Sequence, residues 1–160
     1  GKSQLAESLA AYFHTVWVPE YAREYLAGLQ RDYVYEDIAL IARGQLLKEA
    51  ETAPVARDFL FCDTELLVTK IWSEFKYQRC DPWINGQLLT HTYDLYLLCD
   101  IDLPWEYDPL REHPDMRKVL FDLYKNELDQ RGLPYGIVKG FGERRLQCAL
   151  EIIRQHSLSA

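Results

Sequence analysis

The chain has 160 residues, 48% hydrophobic and 27% charged, the balance of a soluble globular domain with length for one domain and a real core. Its formal net charge of −7 disfavours a protein that coats nucleic acid, because phosphate neutralisation needs a basic surface. No run of 18 apolar residues occurs, so no membrane span is expected, and no secretory signal is visible. The cysteines (Cys62, Cys80, Cys99, Cys148) form no C-x-x-C pair, and His14, His91, His113 and His156 are scattered. That spacing argues against structural zinc. Cys62 and Cys99 lie in apolar runs and read as buried free thiols of a reducing, cytoplasmic compartment.

The elements alternate along the chain. Leu5, Leu9, Tyr12 and Phe13 carry helical spacing over 2–13, and 15–18 reads as a strand. Helices follow over 21–29 and over 37–51, the second with Ile38, Ile41, Gln45 and Leu46 on neighbouring turns. Pro54 closes that region. Residues 58–62 form a short apolar strand, 64–75 a helix, and Pro82 opens a short helix near Leu88. A buried strand over 95–99 ends at Asp100. Pro104, Pro109 and Pro114 with many charges make 101–115 an ordered but mobile loop. A helix over 116–130 is broken by Gly132-Leu133-Pro134. The last strand is 135–138, Lys139-Gly140-Phe141-Gly142 is a turn, and 143–155 is the closing helix. Strands alternating with helices, the strands nearly all apolar, predict an α/β fold with a parallel sheet covered on both faces. Residues 1–160 read as one domain with no internal repeat or linker.

Ligands of such folds sit beyond the strand C-termini, so polar groups there are the candidates for chemistry. Gly1-Lys2-Ser3 opens the first helix in the manner of the end of a phosphate-binding P-loop. The lysine reaches the β- and γ-phosphates, the serine hydroxyl binds Mg²⁺, and the helix N-terminus attracts anions. The first glycine of that motif and the strand before it are expected to precede Gly1. After the 15–18 strand come Glu20 and Arg23. They read either as a group accepting a substrate hydroxyl proton with an arginine on phosphate, or as a helix-start ion pair worth about 0.2–0.5 kcal/mol. After 58–62 comes Asp63, either a Walker B-like carboxylate supporting Mg²⁺ or the N-cap of the next helix. The 101–115 loop has the place of a lid that brings an arginine to the transferring phosphoryl group, with Arg111 the leading candidate and Arg117 a second. Trp72, Trp83 and Trp105 are available to wall a planar ring.

These residues resemble the ribosylnicotinamide kinase domain of NadR-type proteins and the related small AAA-type ATPase and kinase set. The resemblance is carried by Gly1-Lys2-Ser3, by 17–25 (WVPEYAREY), by 61–65 (FCDTE) and by 93–98 (YDLYLL). It continues in Leu103-Pro104-Trp105, in Asp108-Pro109-Leu110-Arg111 and in Gly142-Glu143-Arg144-Arg145. It spans nearly the whole chain. The E-Y-x-R-E segment and the P-W…D-x-L-R lid are its specific parts. Pro109 departs from the glycine usual in that lid and would fix φ there. In the family this domain often follows a nicotinamide mononucleotide adenylyltransferase domain.

The resemblance implies a P-loop NTPase three-layer fold of the nucleoside- and nucleotide-kinase type. It also implies ATP-dependent phosphorylation of nicotinamide riboside to nicotinamide mononucleotide, with Mg²⁺. Its catalytic set would be Lys2, Glu20, Asp63 and Arg111. ATP would lie on Gly1, Lys2, Ser3 and the Lys139-Gly140-Phe141 turn, Mg²⁺ on Ser3 and Asp63, and the nucleoside on Glu20, Arg23, Asp63 and Trp105. The partners are then ATP and a nucleoside-like small molecule, with neither nucleic acid nor membrane. Two other readings stay open: a kinase for another nucleoside or nucleotide, and a P-loop module that binds ATP for regulation without catalysis.

Overall fold

Leu5, Ala6, Leu9 and Ala10 share one buried stripe and close the start of the chain into α1 (Lys2–Tyr12). The computed structural model describes residues 1–108 and 114–159. Tyr12, placed on the apolar face by its spacing, is instead 54% exposed, its ring edge-on to Phe13 at 5.0 Å. The chain divides into two compact units, Ala6–Thr92 and Gly1–Leu5 with Tyr93–Ala160.

The Ala6–Thr92 unit holds most of α1, then β1 (Trp17–Val18), α2 (Tyr21–Gly28), α3 (Tyr35–Thr52), β2 (Phe61–Cys62), α4 (Leu66–Tyr77) and α5 (Pro82–Thr90). Strands β1 and β2 are parallel, with Trp17 opposite Phe61 and Val18 opposite Cys62. The strand expected over 58–62 is shorter because Asp58 takes φ +61° and Arg57 bridges back to Phe59. There Thr15 Oγ1 stands in for the ladder: it donates to Phe59 O and accepts from Arg57 N, both at 2.8 Å. The rings of Phe13, Phe59 and Phe61 pack with centroids 4.6–5.8 Å apart. Val18, Ile38, Ile41, Leu66, Ile71 and Ile84 form the core.

One buried carboxylate fixes the link between α2 and α3. Asp37 is 1% exposed and reaches back to Val34 N at 2.7 Å as an N-terminal cap of α3. Its oxygens also accept from Tyr25 Oη at 2.6 Å and from both terminal nitrogens of Arg31 at 2.7 and 2.9 Å. The Arg31 guanidinium, with Tyr25 and the Val34 N–H, holds the Asp37 carboxyl well below its ordinary value of 3.8. A depressed carboxylate contributes stability that is present above the unfolded-state pKa and lost as pH falls through the folded one. Asp37→Ala should therefore cost about 1–3 kcal/mol at neutral pH, given the charge-assisted bonds it removes, or roughly 3–10 °C in Tm. The gap between wild type and variant should close progressively below about pH 4 in thermal melts. A gap that does not change with pH would refute this assignment.

The second unit contains β3 (Tyr96–Cys99), α6 (Arg117–Arg131), β4 (Tyr135–Val138) and α7 (Gly142–Ser159). Strands β3 and β4 are parallel, in register from Tyr96–Tyr135 to Cys99–Val138. A short 3-10 turn, Pro114–Met116, leads into α6. That helix stops at Gly132, whose φ of +64° lets Leu133 N return to Leu128 O at 3.0 Å. On α7 the buried stripe is Arg145, Ala149, Leu150 and Ile153. The described strands thus form two parallel pairs, β1–β2 and β3–β4. No helix among the described residues is long and apolar enough to cross a membrane.

Candidate active site

Because β1 and β2 run parallel with Val18 opposite Cys62, the chain leaves both strands at the same edge, where Asp63 N donates to Val18 O at 2.8 Å. Glu20 and Asp63 emerge there, at the C-terminal edge that serves ligands in parallel α/β folds. Glu20 occupies the N-cap position of α2, yet its carboxylate makes no capping bond. Gln45 of α3 does that work, its Oε1 accepting from Tyr21 N at 2.9 Å. The Glu20 carboxylate lies 3.7 Å from the Arg23 guanidinium, with side chains 13% and 50% exposed. Helix α4 likewise is capped by Glu65, which accepts from Leu67 N at 2.8 Å. The N-cap position of α4 is thus held by Glu65 rather than Asp63. Asp63 is 2% exposed, and the turn that follows it delays α4 to Leu66. In that turn Thr64 is 7% exposed with φ +79°. A β-branched residue in the left-handed region is strained, by about 1–3 kcal/mol, and such strain gathers where function dictates backbone geometry.

Beneath this edge, burial pushes the Cys62 thiol well above its ordinary range, and the neighbouring Glu49 carboxylate adds to the effect. Glu49 is 5% exposed and pairs with His91 Nε2 at 3.0 Å. A thiol so placed is a poor nucleophile. All four cysteines are free, and Cys62 and Cys99 are half-buried rather than fully enclosed.

The other predicted residues lie in the second unit. Gly1-Lys2-Ser3 enters α1, whose first turn carries no acidic residue, and Leu5 N donates to Gly1 O at 3.0 Å. A Cβ on Gly1 would lie 2.9 Å from Leu103 Cδ1 and 3.8 Å from Arg145 Nη2. The turn after β4 places Gly140 at φ +97°, a conformation that suits glycine, with Lys139 exposed and Phe141 56% exposed beside it. Gly140 N donates to Asp102 Oδ2 at 2.6 Å. Arg145 Nη1 donates to Asp102 Oδ1 at 2.9 Å and to Gly140 O at 3.0 Å. The Gly140 N–H foremost, then Arg145, holds the Asp102 carboxyl below the usual carboxylate range. Arg117 binds the carbonyls of Ile101 and Leu103 at 3.2 and 2.7 Å, so it fastens the start of the loop. Trp105 is 39% exposed, edge-on to Tyr107 at 6.5 Å. Arg111 and Pro109 lie outside the described residues.

The predicted residues thus fall into two sets, Glu20, Arg23 and Asp63 in one unit and Gly1, Lys2, Ser3, Trp105 and the 139–141 turn in the other. The roles of Gln45 and Arg145 are not apparent from motifs. Each does stand on the buried stripe of its helix, Gln45 with Ile38 and Ile41, Arg145 with Ala149 and Leu150. A polar side chain on such a stripe is the available signal, because it must find a partner.

Parallel strands, a Gly-Lys-Ser helix start and strand-end carboxylates define a P-loop NTPase. The profile of the AAA domain family matches residues 1–145, and the chain belongs to that family. It is also similar to the trifunctional NAD biosynthesis/regulator protein NadR of Escherichia coli, at 27% identity over 163 residues, covering 97% of this chain and 40% of the relative. The protein of the same name from Salmonella typhimurium matches with the same identity and coverage. The chain therefore spans about 40% of the length of the curated relatives it matches. Among solved structures, the crystal structure of NadR protein in complex with NR superposes with a TM-score of 0.79 at 20% identity, over 98% of this chain and 48% of that one. The structure of NadR protein in complex with NAD and AMP-PNP gives the same TM-score and identity, over 46% of its own chain.

Proposed function

We propose that this chain is the kinase domain of an ATP-dependent small-molecule phosphotransferase whose acceptor is nicotinamide riboside and whose product is nicotinamide mononucleotide. One observation carries the reading. Two carboxylates, Glu20 and Asp63, leave neighbouring parallel strands at one edge while Gln45 and Glu65 do the capping there. Carboxylates relieved of capping work at a strand edge suit phosphoryl transfer, where positioning and charge stabilisation dominate. The names of the relatives support the acceptor: those proteins act in NAD biosynthesis, and one solved structure holds NR.

The residues fit ATP and Mg²⁺. The first turn of α1 carries Lys2 and has no acidic residue of its own, and the buried Asp63 is a hard oxygen donor of the kind Mg²⁺ prefers. Lys2 would hold the β- and γ-phosphates, and Ser3 and Asp63 would hold Mg²⁺, which when bound neutralises charge on the transferring group. Glu20 would accept the proton of the acceptor hydroxyl, with Arg23 balancing its charge and contacting phosphate. Arg111 is assigned to the transferring phosphoryl group, Trp105 to the nicotinamide ring, and Lys139-Gly140-Phe141 to the adenine side. A cationic nicotinamide suits an aromatic wall. Four free cysteines agree with a reducing, cytoplasmic setting.

An ATP-consumption screen of the full-length natural protein against a panel of nucleosides tests the reading. ATP loss that needs nicotinamide riboside, with nicotinamide mononucleotide identified by mass spectrometry, is the expected result. Consumption driven by another nucleoside would reassign the acceptor. ATP binding with no turnover on any acceptor would make the domain a regulatory module.

A further inference from the structure

The turn after β4 has no secondary structure of its own, yet both backbone polar groups of Gly140 are taken by side chains. Its N–H goes to Asp102 and its carbonyl to Arg145, and these two side chains bond to each other. Arg145 also donates to Asp100 O at 3.3 Å. The Arg145 side chain is only 6% exposed and stands where α7 otherwise places Ala149, Leu150 and Ile153. A buried arginine paired with a partly exposed aspartate, 29% exposed here, is seldom more stable than a well-packed apolar residue in its place. An arginine kept at that position therefore points to a task of geometry. Two features around it point to the nucleotide. Phe141, next to the anchored Gly140, is left 56% exposed, although burying such a ring would gain about 1.5–3 kcal/mol. The same guanidinium lies 3.8 Å from where a Cβ on Gly1 would stand, so one side chain lies beside both the start of the phosphate segment and the turn.

We infer that Asp102 and Arg145 are positioning residues that hold the 139–141 turn in register with the Gly1-Lys2-Ser3 segment, and thereby set nucleotide affinity. The inference rests on the kinase reading for its catalytic readout, and it does not touch acceptor binding. The pair reaches the nucleotide only through backbone: Asp102 fixes the direction of the Gly140 N–H, Arg145 fixes its carbonyl, and the exposed ring of Phe141 follows.

The variants are Asp102→Asn, Arg145→Met and Arg145→Lys in the full-length natural protein. Three readouts apply: steady-state kinetics with nicotinamide riboside, the Kd of a fluorescent ATP analogue, and hydrogen exchange across 139–142 without nucleotide. Losing one charge-assisted anchor should raise the KM for ATP and the analogue Kd by about 10-fold or more. The acceptor KM should stay within about 2-fold and kcat within about 3-fold, the pattern of lost uniform binding. Exchange across 139–142 should accelerate, and Arg145→Met, which keeps the apolar packing of its stem, should melt close to wild type. Arg145→Lys should recover part of the ATP affinity. Equal losses for ATP and acceptor, or an unchanged ATP KM, would overturn the inference. If the wild type shows no acceptor-dependent turnover, the kinase reading fails separately. The analogue Kd and exchange then decide: faster exchange with weaker binding upholds the pair's role, and no change in either, or no binding by the wild type, overturns it.

Discussion

Lys2→Ala is expected to abolish ATP turnover while the fold persists. Lys2 is exposed in the first turn of α1, a turn with no acidic residue of its own. Removing an exposed side chain outside the core shifts stability by about 0.5 kcal/mol or less, and alanine is the better helix former. The chemical loss is of another order. A preorganised cation at the transferring phosphate acts where charge develops, and deleting one such group typically costs about 10²–10³ in kcat. Circular dichroism and thermal melting should thus overlay those of the wild type while acceptor-dependent ATP consumption falls below detection. Turnover that survives the change would remove Gly1-Lys2-Ser3 from the phosphate site, whatever becomes of the acceptor assignment.

Glu20→Gln and Asp63→Asn should fail in different ways. Glu20 is a half-buried carboxylate beside Arg23 at the end of β1. Glutamine keeps its shape and one acceptor oxygen but loses charge and basicity. If Glu20 takes the acceptor proton, turnover should drop by about 10²–10⁴-fold, with affinity for Mg·ATP nearly intact. Asp63, at the end of β2 and almost fully buried, is assigned to Mg²⁺. Asp63→Asn should raise the Mg²⁺ concentration needed for half-maximal rate, and added Mg²⁺ should restore part of the activity. The same titration should do nothing for Glu20→Gln. A reversed rescue pattern would exchange the two roles. Activity retained by both variants would remove Glu20 and Asp63 from the mechanism. A melting curve for Asp63→Asn separates loss of Mg²⁺ affinity from loss of fold.

Much of the fold is legible without coordinates. The strands among the described residues end at Val18, Cys62, Cys99 and Val138, where apolar runs meet Pro19, Asp63, Asp100 and Lys139. Strands packed between helices are apolar on both faces, so their ends show as abrupt changes of polarity. The last strand agrees to the residue, and the helices agree within about two positions, the usual latitude of helix ends, except α7, which runs on to Ser159 rather than ending near Gln155. The phosphate motif is legible for a related reason: Gly-Lys-Ser and the helix it opens are contiguous in the chain. Where the local signal misled, a side chain had intervened. The strand over 58–62 lost its first half to Asp58 and the Thr15 hydroxyl, and α4 began late because Thr64 turns the chain before Glu65 caps the helix.

Composition and periodicity determined the class of fold, the strand ends and the set of polar residues beside them. Tertiary structure decided what those residues are left to do. The sequence leaves Glu20 divided between chemistry and an ion pair with Arg23, which the structure contains, and Asp63 divided between chemistry and capping. The starts of α2 and α4 are capped by Gln45, 24 residues beyond Tyr21, and by Glu65. The tie between Asp102 and Arg145 spans 43 residues, and its meaning depends on Gly140 lying between them. Periodicity reports which face of an element is buried, since burial follows from neighbours one turn away. It carries no information on which distant donor meets which acceptor. That depends on the register in which whole elements pack, and every buried polar group must find its partner there.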